Sequence, residues 1–470
     1  MSYSEKLRVH NERVIDVCKQ VKDFYLKNKQ ARIYHGSTNS TRRFDLKKDE
    51  VIDVSNLDKI IEINTNERYA LVEPNIPMDR LVEECLKNNF LPQVVMEFPG
   101  ITVGGAIQGG AGESSSFKFG LFHNICTEYE IVLGNGDTVI ASHDKNKDLF
   151  YGTAGSYGTL GIITLAKIKL IPAKKFVELS YTRTSNFTNT VEKINDSRKS
   201  NTTFIDGLLF SKSSGVVMTG ELTDDQKHST VTFSKASDTW FYLHVKNIAA
   251  RYQEWTETIP IKDYLFRYDR GAFWMGQHSF NIMRVPFNSL TRYIFNRFLN
   301  TRTLYRSLHA AGFAQNYFIQ DFCLPQNTTE EFFKKCNQEL EIYPIWLCPL
   351  LPEINAKLSF NYLKSDLLIN IGIYGIPKYK SDIITLNKRF ETLTNKLGGR
   401  KWLYAQTYYT DSEFWGIYDS IWYSEIRKKY HAEKVFPDIY EKVYVKERIK
   451  GSIVKGFLNT IRSPFRLRAR

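Results

Sequence analysis

Apolar residues recur at helical spacing at the start of the chain. Val14, Cys18, Val21 and Tyr25 stand at i, i+4, i+7 and i+11, which predicts a helix over residues 4 to 28 with one buried face. The period then shortens. Residues 31–34, 51–54, 60–63 and 69–72 are short strand-like runs, and Pro77 to Asn88 returns to a helical pattern with Leu81, Cys85 and Leu86 on one side. Residues 128–133 and 138–141 flank Gly134-Asn135-Gly136, a hairpin turn signal. Residues 159–171 alternate Leu160, Ile162, Thr164, Ala166, Ile168 and Leu170 and read as one long strand. Past Pro172 glycine thins out and long amphipathic, aromatic segments take over. The pattern predicts an α+β protein with a domain boundary near Ala173.

Composition narrows the class. The chain has 470 residues, 42% of them hydrophobic and 24% charged, enough apolar surface to fold as about two large domains. Its longest near-apolar run, Tyr343 to Pro352, is half the length of a membrane-spanning helix and is broken by prolines. The opening Met-Ser-Tyr-Ser-Glu-Lys shows no signal-peptide core before Glu12. The expected location is therefore intracellular, either cytoplasmic or peripherally membrane-associated, with no transmembrane span. Cys18, Cys85, Cys126, Cys323, Cys336 and Cys348 contain no Cys-x-x-Cys pair, so neither zinc nor a disulfide framework is expected.

The net charge of +13 is uneven. Residues 446–470 hold eight Lys/Arg against one Glu, with Ile449, Ile453, Val454, Phe457, Leu458 and Ile461 at helical spacing. This is the pattern of a basic amphipathic tail that lies on an anionic membrane, or of a helix packed on the body with a frayed basic end. With no recognition motif beside it, nucleic acid is not an expected partner.

Three glycine-rich segments carry the candidate chemistry. The first, His35-Gly36-Ser37-Thr38-Asn39-Ser40-Thr41-Arg42, follows a strand and can curl its N–H groups into an anion nest, or form a polar surface loop. The second runs from Gly100 to Ser116 and contains Thr102, Gly104, Gly105, Gly109, Gly110, Gly112, Glu113, Ser114 and Ser115. Six glycines in 13 residues cost conformational entropy and suit backbone that approaches a flat ligand. The third, Gly152 to Ile163, contains Gly158, Thr159, Gly161 and Ile162. Neither a Walker loop nor a Gly-x-Gly-x-x-Gly fingerprint is present. Three such segments in order suit a long nucleotide cofactor laid across one domain.

The order and content of these segments resemble the FAD-binding domain of the vanillyl-alcohol oxidase/para-cresol methylhydroxylase (PCMH) type. Within that superfamily the chain is similar to the delta(24)-sterol reductase family. The likeness is carried by Thr102-Val-Gly-Gly105, Gly112-Glu-Ser-Ser-Ser116, Lys118-Phe-Gly-Leu-Phe122, Ile125-Cys126, Gly158-Thr-Leu-Gly161 and Ile171-Pro-Ala-Lys-Lys175. It continues through Phe273-Trp274, Gln320-Asp321, Tyr343 to Pro349, Ile371 to Gly375, Leu403-Tyr-Ala405 and Glu413-Phe-Trp415. The resemblance implies a PCMH-type FAD domain over residues 30–172, preceded by a helix (1–29). A cap or substrate domain (173–398), a segment returning to the flavin (399–445) and the basic tail (446–470) follow.

It further implies an FAD-dependent oxidoreductase that reduces an isolated C=C bond of a sterol-like, lipid substrate with NADPH. A sugar, polyol or hydroxy-acid oxidase or dehydrogenase is the alternative on the same FAD domain. No metal is expected. Relatives that bond flavin covalently use a histidine where this chain has Asn39, which implies non-covalent FAD. The implied cofactor contacts are Gly36, Ser37, Thr38, Asn39, Ser40, Thr102, Gly104, Gly105, Gly109, Gly110, Ser114, Ser115, His123, Ile125, Gly158, Thr159, Gly161 and Ile162. His123 is a donor to a flavin carbonyl or a structural histidine. Glu113 is a buried acid of raised pKa or a cap on the serine turn. Lys401 and Tyr404 stand where the superfamily brings a cation or tyrosine to the flavin, and Gln320, Asp321 and Tyr374 fall on the substrate side.

Overall fold

The computed structural model describes residues 2–36, 39–42, 48–379 and 382–445. Ser37, Thr38 and the basic tail lie outside the described residues. The strands, in chain order, are β1 (Arg32–Tyr34), β2 (Val51–Asp53), β3 (Ile60–Asn64), β4 (Tyr69–Val72), β5 (Phe90–Pro92), β6 (Cys126–Val132), β7 (Thr138–Ser142) and β8 (Ile162–Pro172). They are followed by β9 (Phe176–Thr184), β10 (Phe204–Ser211), β11 (Ser214–Thr223), β12 (Glu254–Pro260), β13 (Phe318–Pro325), β14 (Ile345–Leu350), β15 (Leu368–Gly375) and β16 (Arg400–Lys401). With the helices between them they make the α+β fold.

Two large sheets divide the strands at residue 173. One has the order β3-β4-β8-β6-β7 with β5 on the far end of β8; the other has the order β12-β9-β11-β10-β14-β15-β13-β16. The long strand β8 is the spine of the first sheet, pairing β4, β5 and β6. It starts at Ile162, three residues later than the alternation predicts. Gly158 has φ +76 and the Thr159 hydroxyl donates to the Ser156 carbonyl (2.8 Å), so the glycine segment stays a turn. The hairpin is as predicted: β6 and β7 pair from Val132↔Thr138, with Gly136 at φ +85.

The N-terminal helix, Tyr3–Leu26, is capped by Ser2 and buries His10, Val14, Val17 and Val21. Its buried face is rotated from the predicted one because it includes a polar residue. His10 Nδ1 meets Glu73 (2.8 Å) and its Nε2 meets Glu130 (3.1 Å), so hydrogen bonds and not apolar contact hold that turn.

The end of the chain serves both sheets. Residues 400–401 pair with β13 on the edge of the eight-stranded sheet. Beyond them, Leu403, Tyr409, Phe414, Tyr418, Tyr423, Ile426 and Val443 join the core of the six-stranded sheet. Among the described residues no helix is long and apolar enough to cross a membrane.

Candidate active site

The three glycine segments and the C-terminal return converge. The Gly109 carbonyl accepts from Trp402 Nε1 (2.9 Å) and from the Tyr157 hydroxyl (3.3 Å). Gln108 accepts from the Tyr157 amide (3.0 Å) and donates to the Gly161 carbonyl (3.2 Å). Ser40 Oγ and the Thr41 amide donate to the Tyr404 carbonyl (2.8 and 3.2 Å), and Arg42 donates to the carbonyls of Leu403 and Ala405. Segments distant in sequence thus meet at one place.

The glycines divide by environment. Gly105 is exposed and a Cβ there would meet only Thr102 Oγ1 at 3.1 Å. Gly36, exposed with φ +81, would meet only Ser55. These two leave bare backbone toward open space. Gly104 and Gly161 serve packing: a Cβ would lie 2.7 Å from Pro74 and 2.6 Å from Ile131. Gly109 is half-buried beside Tyr157, and Gly110 ends its helix at φ +65.

At Gly158 a Cβ would lie 2.8 Å from Ile33, 3.3 Å from Lys442 Nζ and 3.4 Å from Gln108 Oε1. Lys442 belongs to a basic group with Arg32, Arg42 and the His35 imidazole. Burial first, then the charges of Arg32 and Arg42, pull the Lys442 ammonium down to about 7. Burial and Lys442 likewise take His35 down to about 4. Burial lowers Arg42 to about 10, with Arg32 adding to it. Cations beside the bare backbone of Gly36 and the buried turn at Gly158 fit the diphosphate of FAD: Gly36, Gly158, Arg32 and Lys442 would hold it, with Gly105 leaving room along the cofactor.

Other expected contacts are engaged in the fold. The His123 imidazole meets Glu353 (3.1 Å), and Glu353 also takes the backbone N–H of Ile354 and Asn355 and the Asn124 amide. Ile125 and Ile162 are core residues. Thr159 Oγ1 accepts from Tyr423 (2.9 Å), Ser114 Oγ donates to Glu113 (2.6 Å), and Ser115 Oγ donates to the Gln93 carbonyl (2.9 Å). Thr102 caps its helix. Asn39 and Ser40 are half-buried.

Glu113 lies in a sealed acidic group with Glu97, Asp206 and Arg267. Arg267 pairs with Asp206 (3.0 Å), which also accepts from Tyr268 and Trp346. Glu113 accepts from Ser114 and Ser115, and one oxygen of Glu97 has no hydrogen-bond partner. Burial, followed by the charge of Glu113, raises Glu97, and burial raises Glu113. Burial and mutual repulsion thus favour the protonated form in the Glu97–Glu113 pair.

A second carboxylate anchors the return. Buried Asp321 accepts from the hydroxyls of Tyr404 (2.6 Å) and Tyr374 (2.9 Å) and from Asn370 Nδ2 (2.6 Å). Burial pushes Asp321 up, and pushes Tyr404 up further with the Asp321 charge added. Of these, Asp321 and Tyr374 are buried and Tyr404 is half-buried. Aromatic rings continue from Tyr374. Phe273 lies 5.4 Å from Tyr374 and 5.7 Å from Phe98, and Phe98 lies 6.1 Å from Tyr305. Gln320 faces elsewhere, donating to Asn387 and the Gln406 carbonyl.

The expected role of Lys401 as a cation presented to the flavin is corrected. Its ammonium is fully buried, 2.7 Å from Glu391, and also donates to the Gln406 carbonyl. In a strand, neighbouring side chains point to opposite faces, and β16 turns this one into the interior. The sequence reading passed over Arg32, Glu97, Arg267 and Lys442. No local motif marks them, because each gains its meaning from residues far away in the chain.

The FAD binding domain family matches residues 8–142. Delta(24)-sterol reductase from Homo sapiens is 31% identical over 451 residues, covering 93% of this chain and 86% of the relative. The delta(24)-sterol reductase homolog of Caenorhabditis elegans is 28% identical over 92% of this chain and 87% of its own length. The Arabidopsis thaliana delta(24)-sterol reductase is 26% identical over 83% of this chain and 76% of its own. Likeness of this extent reaches through both sheets and the C-terminal return, and the chain belongs to the delta(24)-sterol reductase family of FAD-dependent oxidoreductases.

Proposed function

We propose that this enzyme reduces an isolated C=C bond in a sterol-like lipid, with NADPH as the source of the hydride. The observation that carries the reading is Tyr404: a half-buried residue whose hydroxyl donates to a buried carboxyl, beside the Trp402 ring that hydrogen-bonds the Gly109 carbonyl. Saturating a double bond takes a hydride to one carbon and a proton to the other. FAD, when bound, supplies the hydride.

The protein's share is to hold the substrate and deliver the proton. Half-buried Phe98 and Tyr305, backed by the buried Phe273 ring, offer flat apolar surface to a rigid hydrocarbon. Tyr404 holds its proton at Oη, since its raised pKa keeps it neutral. The Asp321 carboxylate orients that hydroxyl by accepting from it, and the proton lost from Oη is restored from solvent after transfer. Gly36, Gly158, Arg32 and Lys442 hold the diphosphate, and Gly105 leaves room beside it. With Asn39 at the histidine position, the cofactor is non-covalent.

The test is anaerobic mixing of the FAD-loaded protein with NADPH and, separately, with polyols. Bleaching of the flavin by NADPH alone supports the reductase. Bleaching by a polyol and not by NADPH supports an oxidase or dehydrogenase instead.

A further inference from the structure

Between Asp269 and Asp321 the chain contains no acidic residue and six arginines: Arg270, Arg284, Arg292, Arg297, Arg302 and Arg306. The stretch folds as helices Gly276–Met283, Ser289–Phe295 and Thr301–Ala311. Helix Ser289–Phe295 buries none of its residues, although its composition is largely apolar. Leu290 is 65% exposed, Tyr293 and Ile294 are each 57% exposed, and nearby Ile282 and Met283 are 42% and 38% exposed. Scattered apolar residues on a surface need no explanation, but a helix that packs Phe295 inward while Leu290, Tyr293 and Ile294 stay exposed among other exposed apolar side chains does.

The arginines around this face are of two kinds. Arg270 is tied to Asn296 and backbone carbonyls, and Arg302 to Asp79 (2.7 Å). Arg284, Arg292 and Arg297 form no ion pair among the described residues. Arg292 and Arg297 instead lie over the rings of Phe287 (5.0 Å) and Phe298 (5.2 Å).

We propose that the face built from Ile282, Met283, Leu290, Tyr293 and Ile294, flanked by Arg284, Arg292 and Arg297, docks on an anionic lipid bilayer. Apolar side chains that enter the acyl boundary, with arginines level with the headgroups, are the chemistry such an interface recognises. A second copy of the chain is a poor occupant, because a two-fold contact would set these arginines against themselves. The 446–470 stretch is equally poor, since its net charge is positive too. The position suits substrate entry: helix Thr301–Ala311 carries Tyr305, whose ring contacts Phe98 in the aromatic wall. The inference rests on the lipid-substrate reading, but docking can be measured without turnover, so the two can fail separately.

The experiment is flotation of the FAD-loaded protein with vesicles of phosphatidylcholine, alone or mixed with phosphatidylserine. It compares the full chain, a version ending at Val445, a Leu290→Asp/Ile294→Asp variant and an Arg284→Glu/Arg297→Glu variant. The full chain should float with the mixed vesicles, less so at high salt. The Val445 version should keep a bound fraction, and both variants should lose binding by about tenfold or more. Their FAD content and turnover of detergent-dispersed substrate should stay at the parent level. Should the aspartate variant fail to fold, the charge variant decides. The proposal is overturned if the variants float like the parent, if truncation alone abolishes binding, or if no version binds anionic vesicles. It is also overturned if sedimentation shows that the face joins two copies of the chain.

Discussion

On the proposed reading Tyr404 delivers the proton and Lys442 would hold the cofactor, so their substitutions should separate cleanly. Tyr404→Phe removes the proton at Oη and leaves the ring in place. C=C reduction should fall by roughly 10²–10⁴-fold, while flavin reduction by NADPH keeps its rate; stopped-flow measurement of the two half-reactions checks this. Equal losses in both would take Tyr404 out of proton delivery.

Lys442 should show itself in cofactor affinity. In the free protein its ammonium titrates at about 7, and a bound diphosphate raises that value. FAD affinity should then be flat below about pH 7 and weaken above it, by up to about tenfold per pH unit. Lys442→Met should bind FAD more weakly and lose that dependence. Riboflavin, which lacks the diphosphate, should distinguish the two proteins little. A titration by flavin fluorescence across pH 6 to 9 decides it.

The N-terminal helix offers a pH signature of its own. Burial alone would lower His10, but its hydrogen bonds to Glu130 and Glu73 and their charges carry it up to about 9. A folded-state pKa above the unfolded value stabilises fully below about pH 6.5 and loses that contribution as pH rises through about 9. The contribution is about 3 kcal/mol. In chemical unfolding, the lead of the parent over His10→Leu should shrink across that window; a constant lead would show that the clamp is not ionic.

The same helix marks what the sequence made legible. Its existence followed from apolar spacing, as did the β6–β7 hairpin from Gly134-Asn135-Gly136. The rotated face was hidden because His10 is buried only through Glu73 and Glu130, which are remote in the chain. The late start of β8 was hidden by a pattern in which Leu160 continues the alternation while Gly158 forces a turn. The glycine segments were visible as a group. Their division into bare backbone at Gly36 and Gly105 and packing glycines at Gly104 and Gly161 depends on Pro74, Ile131 and the other neighbours that tertiary structure supplies. Lys401 was misread for the same reason, since Glu391 gives no local sign of claiming it.

Across the molecule, the C-terminal return is what makes one site from two sheets. It adds β16 to the eight-stranded sheet, hydrogen-bonds the 40–42 loop through Leu403, Tyr404 and Ala405, and sends its helices into the core of the six-stranded sheet. On the proposed reading cofactor and substrate sides would meet at Tyr404 by this route, and the complete reaction should need only this chain, FAD, NADPH and the sterol. The deciding measurement is a reaction of the purified, FAD-loaded protein with NADPH and a sterol that bears one side-chain double bond, followed by mass analysis of the sterol. A mass gain of two hydrogens, one of them from solvent when the reaction is run in D2O, is the expected result. An unchanged sterol, with flavin that NADPH leaves oxidised and a polyol or hydroxy acid reduces, would contradict the reductase reading.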